Sequence, residues 1–247
     1  MQGNKVAGLI TNYNMPERAD ALAEVLLDAD WPLDLYLVDN GSDLVPPAKH
    51  TTVKLDRNVQ TTGGWLAGLE EADKHGPYLA YMFLITSADF PPGAPNPVKP
   101  MATWLLEHED AVGIHPALTE DSTTSWEHMK ARGHEPRRTW MIDNICSMFR
   151  ADWFNSIGRF DPAMTWGWGI DLETCYQARR QARSLWIDER CRIRKITDIG
   201  YSMNRMNMTS DQRRQAASNS MHSLLYQRYG SDYWKKMTEE NVTDDMR

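Results

Sequence analysis

Cysteine is scarce in this chain. Its three cysteines, Cys146, Cys175 and Cys191, form no CxxC pair and no metal-binding spacing, which excludes a zinc ribbon or a disulfide framework and predicts reduced, buried thiols. No run of eighteen apolar residues occurs, so no membrane-spanning helix is expected. The opening MQGNKVAGLI lacks the layout of a secretory leader. These absences together predict a soluble, cytoplasmic protein. No Gly-Lys-Ser/Thr loop and no GxGxxG fingerprint is present, which removes two common phosphate cradles. Internal repeats and low-complexity tracts are missing as well.

What is there suffices for a sizeable core. The 247 residues are 41% hydrophobic and include ten tryptophans. Length alone is compatible with one large α/β domain or two small ones. The net charge of −7 is unevenly spread: residues 1–129 carry 7 Lys+Arg against 19 Asp+Glu, and residues 130–214 carry 16 against 10. Clustered positive charge in an acidic protein is either a solvated face or a surface that attracts an anion.

Apolar runs alternate with helical stripes. Residues 5–11, 33–38, 78–86, 111–115 and 142–150 read as strands, with weaker ones at 53–55, 184–187 and 192–196. Helices are predicted at 18–29 (stripe Ala21, Leu22, Val25, Leu26), 65–74, 101–109, 151–157, from Leu172 onward, and at 213–229. Residues 119–140 are polar and aperiodic and read as a long excursion, while the acidic tail from Thr238 is expected to fray. Strand, helix, strand with polar loops at the strand ends is the βαβ arrangement, which places ligands at those ends.

The chemistry-bearing residues gather late in the chain. In Gly158–Arg180 (GRFDPAMTWGWGIDLETCYQARR), Trp166 and Trp168 alternate with glycine, and Asp171 and Glu173 follow where a helix begins. A carboxylate at a helix start below exposed aromatics suits a general base beside a ring-shaped substrate, although core packing would also use the tryptophans. Asp89 ends the strongest strand, a position for a hard cation or for an ordinary turn. The Gly63-Gly64 pair at a helix entry either lets backbone approach a phosphate or makes a tight turn. His115, His128 and His134 match no metal motif.

Four motifs, in order over residues 5–180, resemble the inverting glycosyltransferases of family 2. They are Thr11-Asn12-Tyr13-Asn14, Val38-Asp39-Asn40-Gly41-Ser42-Asp43, the Asn58 to Gly68 segment with Gly63-Gly64, and Gly158-Arg159-Phe160-Asp161 continuing to Ile170-Asp171-Leu172-Glu173. The resemblance implies a single α/β domain of GT-A fold, a Rossmann-like, mostly parallel sheet flanked by helices, with a C-terminal helical extension. Residues 1–115 would be the nucleotide-sugar half, 116–212 the acceptor and catalytic half, and 213–247 a terminal helix and tail. It further implies a nucleotide-diphosphate sugar, UDP-linked by preference, bound by Thr11, Asn12, Tyr13, Glu17, Asp39, Asn40, Gly63, Gly64, Ser87 and Asp89. Asp39 would recognise the base. Asp89, with Asp198 as a substitute for the family's late histidine, would hold Mn²⁺ or Mg²⁺. Asp171 would be the catalytic base, and Trp166, Trp168 and Glu173 would contact the acceptor.

This chain departs from the family at Gln60, Leu66, Ser87 and Ile170. Ser87 replaces the first aspartate of the D-x-D motif. Ile170 replaces the acid that precedes the base, and by like-charge reasoning its neutrality should leave Asp171 easier to ionise. The acceptor expected is a saccharide or glycolipid hydroxyl. An alternative is a hydroxylated base in DNA, as in bacteriophage base-glycosylating enzymes, with Arg179, Arg180, Arg183, Arg190, Arg192, Arg194 and Lys195 on its phosphates. A nucleotide-sugar binder without turnover is the third reading.

Overall fold

The computed structural model describes residues 3–197 and 208–247. Strand β1 (Val6–Asn12) is buried along almost its whole length, as an inner parallel strand must be. Helix α1 (Pro16–Leu27) begins on a proline, whose missing N–H is harmless in the first turn. Its buried stripe is Ala19, Leu22, Ala23 and Leu26. Ala21, expected in that stripe, faces outward, because the buried face is centred on Ala19, Leu22, Ala23 and Leu26 and position 21 turns away from it.

Strands β2 (Leu33–Asp39) and β3 (Thr51–Lys54) follow, then helix α2 (Gln60–Ala72). The helix starts five residues before the expected Trp65, so Gly63 and Gly64 lie inside its first turns and do not precede it. Packing explains why glycine is used there. A Cβ on Gly64 would stand 2.5 Å from Thr11 Cγ2, and one on Gly68 would stand 3.0 Å from Leu9 Cδ2. On the neighbouring position of β1, a Cβ on Gly8 would stand 2.8 Å from Leu26 of α1. Successive strand residues point to opposite faces, so α1 and α2 cover opposite faces of the sheet.

Strand β4 (Ala80–Ile85) and the short β5 (Ala88–Asp89) precede helix α3 (Val98–Glu107) and the fully buried β6 (Ala111–Leu118). The 119–140 excursion contains a 3₁₀ turn (Glu127–Met129) and strand β7 (Arg137–Thr139). Buried Glu189 organises it, accepting from the Arg132 N–H at 3.1 Å and from Arg137 Nε at 2.7 Å. After β8 (Cys146–Arg150), α4 (Ala151–Ser156) and α5 (Ile170–Arg180) comes β9 (Ser184–Lys195). β9 is one long strand where two short ones were expected. A register shift opposite Pro116/Ala117 absorbs the polar middle that made it look interrupted.

The sheet order is β3-β2-β1-β4-β8-β6-β9-β5, with β7 also on β9. β1 to β4 run parallel, and β9 runs parallel to β6. β8, β5 and β7 are antiparallel to their neighbours. Phe83 of β4 centres the core, with ring centroids 4.7 Å from Phe160, 5.4 Å from Phe154 and 5.6 Å from Trp65. Phe160 thereby anchors the loop leading to Trp166 and Trp168.

The C-terminal helix α6 (Ser210–Tyr229) opens with a capping box between Thr209 and Gln212. Helix α7 (Tyr233–Glu239) follows, with Met237 fully buried. Arg179 ties the start of the tail to α5 by donating to the carbonyls of Met237 and Glu240, while residues 239–241 and 243–245 are exposed. Among the described residues no helix is long and apolar enough to cross a membrane.

Candidate active site

Strand order reverses at β1, with β2 on one side and β4 on the other. Such a reversal opens a crevice at the C-terminal strand ends, and most residues expected at the donor lie there. Asn12 Nδ2 donates to Asp39 Oδ1 at 3.4 Å, and the Ser42 N–H donates to Asp39 Oδ2 at 3.2 Å. Asn40 ties this loop to the start of α2, accepting from the Val59 N–H at 2.9 Å and donating to the Gln60 carbonyl at 3.0 Å. Asn12, Asp39 and Asn40 are all buried. With both oxygens engaged inside the protein, Asp39 builds the crevice wall.

Tyr13 and Thr11 are half-buried at the same edge, and the Tyr13 hydroxyl donates to Asp43 at 3.3 Å. Glu17 is exposed on the first turn of α1. Two buried polar atoms at this edge have no partner among the described residues: Thr11 Oγ1 and Asn144 Nδ2. Buried polar atoms are ordinarily satisfied, so each is an unfilled hydrogen-bonding position. A Cβ on Gly64 would stand 3.1 Å from Thr11 Oγ1, so glycine lets α2 approach β1 closely there.

Ser87 and Asp89, both half-buried, lie just beyond β4. Arg18 reaches from α1 to the carbonyls of Thr86 (2.7 Å) and Ala88 (3.0 Å) and fixes this segment. Asp89 Oδ2 accepts from Nε and Nη2 of Arg194, whose Nη1 lies 3.5 Å from Asp121. Oδ1 accepts no bond from the described residues. Asp198 falls outside them. Among the described residues no three His, Cys, Asp or Glu side chains could together hold a metal ion. A cation shared between one carboxylate and substrate phosphates asks less of the protein, and Asp89 Oδ1 suits that arrangement.

The tryptophan–glycine loop leans on the start of α2. The Thr62 hydroxyl donates to the Met164 carbonyl at 2.5 Å, and a Cβ on Gly167 would stand 2.9 Å from Thr61 Cβ. Gly167 (φ 79°) and Gly169 (φ 87°) both adopt left-handed backbone, which glycine alone takes without strain. They flank Trp168, which is 42% exposed, whereas Trp166 is half-buried. Trp168 therefore offers a face to an incoming molecule.

Asp171 sits in the first turn of α5, where its Oδ1 accepts from the Leu172 N–H at 2.9 Å. Burial, and next the negative charge of Asp143, push its pKa up to about 7. The expectation of easier ionisation is overturned. Asp143, which the sequence reading passed over, supplies the like charge that Ile170 lacks. Asp143 is paired with Lys195 at 3.4 Å. The signal was a polar Asp143-Asn144 pair inside an otherwise apolar strand.

Glu173, expected at the acceptor, is bonded to α6. Its carboxylate accepts from Arg228 Nη1 at 3.0 Å and from the Tyr229 hydroxyl at 2.8 Å. It lines a depression of about 310 Å³ with Asp161, Gln177 and Arg228. The basic run is largely spent inside the protein. Arg179 is buried against the Trp140 and Met237 carbonyls, Arg190 pairs with Asp188, and Arg192 binds the Glu189 and Gly133 carbonyls. Arg194 and Lys195 pair with Asp89 and Asp143. These five side chains have neighbours of their own, while Arg190 and Arg194 stay 40% and 42% exposed.

No protein-family model and no curated protein sequence matches this chain. Solved structures do. GalNAc-T7 with UDP, GalNAc and Mn²⁺ superposes with a TM-score of 0.60 at 12% identity, covering 96% of this chain and 55% of that one. The mannosyltransferase PcManGT of Pyrobaculum calidifontis, in complex with GDP-Man and Mn²⁺, gives 0.56 at 13% identity, covering 94% and 72%. This chain thus spans little more than half the length of GalNAc-T7. The likeness shows the fold: a mostly parallel GT-A sheet flanked by helices.

Proposed function

We propose that this protein is a glycosyltransferase that moves a sugar from a nucleoside-diphosphate sugar to a hydroxyl of a saccharide or glycolipid, with inversion at the anomeric carbon. One observation carries the reading. The carboxylate of Asp171, its pKa raised to about 7, stands in the first turn of α5, three residues after the exposed Trp168. A base tuned to the working pH takes a proton most effectively.

Thr11, Tyr13 and the start of α2 bind the nucleotide end of the donor, in a crevice whose wall Asp39 and Asn40 hold. Asp89 would hold Mn²⁺ or Mg²⁺ together with the donor diphosphate; a cation bound there neutralises charge on the leaving group. Residues 1–115 form the donor half in this reading, and residues 116–212 bring Asp171 and the acceptor. Trp168 stacks against the acceptor ring. Asp171 takes the proton from the attacking hydroxyl on the face opposite the leaving diphosphate, which inverts the configuration.

Nucleotide release from a panel of UDP- and GDP-sugars, measured with and without saccharide acceptors in Mn²⁺, tests the reading. Proton NMR of the product then gives its anomeric configuration. Release with no donor at all would defeat the enzymatic reading, and a retained configuration would remove Asp171 from the role of base. Steeply salt-dependent binding to duplex DNA would reinstate the DNA acceptor.

A further inference from the structure

Ile142 is fastened to the helix that bears Asp171. The thiol of Cys175, one turn along α5 from Asp171, accepts from the Ile142 N–H at 3.4 Å and lies 3.6 Å from the Ile142 carbonyl, to which it donates. Asp143, the next residue, is thereby carried to the end of α5 where Asp171 sits. From the other side β9 delivers Lys195, whose Nζ stands 3.4 Å from Asp143 Oδ2. The Lys195 backbone is fixed in turn, since its N–H donates to Ser122 Oγ at 3.0 Å. Neither partner of the pair is well exposed, at 18% for Asp143 and 24% for Lys195. Water therefore screens this pair less than it would a surface pair.

We propose that Asp143, anchored by Lys195, is a positioning residue that governs the protonation of Asp171 and so sets the pH range in which the base is available. The inference rests on Asp171 being the base of the proposed reaction. Adjacent residues of β9 serve the two ends of the site, Arg194 at Asp89 and Lys195 at Asp143, because alternate side chains leave a strand on opposite faces. The groups around Asp171 act in opposite senses: Asp143 keeps its proton on, and Lys195 draws it off. Cys175 is a neutral thiol, its pKa raised to about 12 by burial. His115 of β6, near Asp143 and Lys195, stays neutral because burial lowers its pKa to about 4. The balance is left to Asp143 and Lys195.

The test is a carbon-13 titration of aspartate carboxyl groups in the full chain, with the Asp171 signal assigned by its loss in Asp171→Asn. Asp143→Asn should lower the Asp171 midpoint, and Lys195→Met should raise it, each by about one unit. Asp143→Glu should restore the original midpoint in large part. Midpoints unmoved in both variants, or moved in the same direction, would overturn the inference, since a merely structural role predicts no opposed pair of shifts. The acid limb of kcat/KM is measured alongside. If the carboxyl midpoints shift as stated but the limb stays put, the inference stands and Asp171 is not the base.

Discussion

Arg194 grips a single oxygen of Asp89, with Nε and Nη2 at 3.1 and 2.5 Å from Oδ2. The guanidinium already answers the charge that a divalent cation would neutralise. Arg194→Ala should therefore tighten Mn²⁺ binding. Solvent screens both groups, so the gain in Kd should be roughly a few-fold. Electron paramagnetic titration of free Mn²⁺ measures it, and unchanged or weaker binding would remove Asp89 as the metal's carboxylate. Chelation should abolish glycosyl transfer in the unaltered chain, and added Mn²⁺ should restore it.

Asp171→Asn should reduce turnover by about 10²–10⁴-fold while leaving the Kd for the donor nearly unchanged. Isothermal titration with the donor and single-turnover assays separate the two effects. A variant with near-normal turnover would end the assignment.

The same carboxyl makes stability depend on pH. Its folded pKa, about 7, lies above the unfolded value, so between these two values the native state holds more proton than the unfolded one. Stability from this group is then full below the unfolded pKa and is lost as pH rises through 7. Asp171→Asn should accordingly raise Tm relative to the unaltered chain more at pH 8 than at pH 5. Equal differences at both pH values would contradict the raised pKa.

Gly169 starts α5 with φ 87°, and a Cβ there would stand 2.6 Å from Met221 Cγ on α6. Gly169→Ala should cost about 1–2 kcal/mol from backbone strain alone, and lower Tm by about 2–8 °C in a chain of this size. Adding Met221→Ala should recover the steric part and leave the backbone part. A scanning calorimetry trace identical to the unaltered chain would show that the helix start relaxes freely.

Arg179 closes the tail onto α5 by donating to the Trp140, Met237 and Glu240 carbonyls. Arg179→Ala strands these acceptors in a buried place, and should destabilise by about 3 kcal/mol. Urea unfolding measures this. Were the residue a phosphate contact instead, the substitution would leave the midpoint alone and flatten the salt dependence of DNA binding.

Strand and helix order was legible because periodicity reports burial, and β1, β4 and β6 are buried on both faces as their apolar runs suggested. Helix starts were less so. α2 begins at Gln60 because Gly64 and Gly68 must lie against Thr11 and Leu9, a requirement that no local propensity for glycine expresses. The position of Asp171 followed from its motif, but its ionisation did not. Asp143 is 28 residues away in sequence, and the contacts that hold it beside α5, Ile142 on Cys175 and its own ion pair with Lys195, are both long-range. Likewise, the basic run looked like a surface because Asp89 and Asp143, the partners of Arg194 and Lys195, lie far off in the chain.

Asp89 lies on β5, which among the described residues pairs only with β9, through Ala88 to Lys195 and Asp89 to Arg194. On a ribosome the strand must wait for about a hundred further residues before its partner emerges, roughly 5–20 s at ordinary synthesis rates. Until then the nascent chain can assemble β1 to β4 but has no template for the segment that carries Asp89. A stall before residue 195 would leave the crevice between β1 and β4 without a fixed Asp89 beside it. That carboxylate would thus be set in place late in synthesis, when β9 arrives.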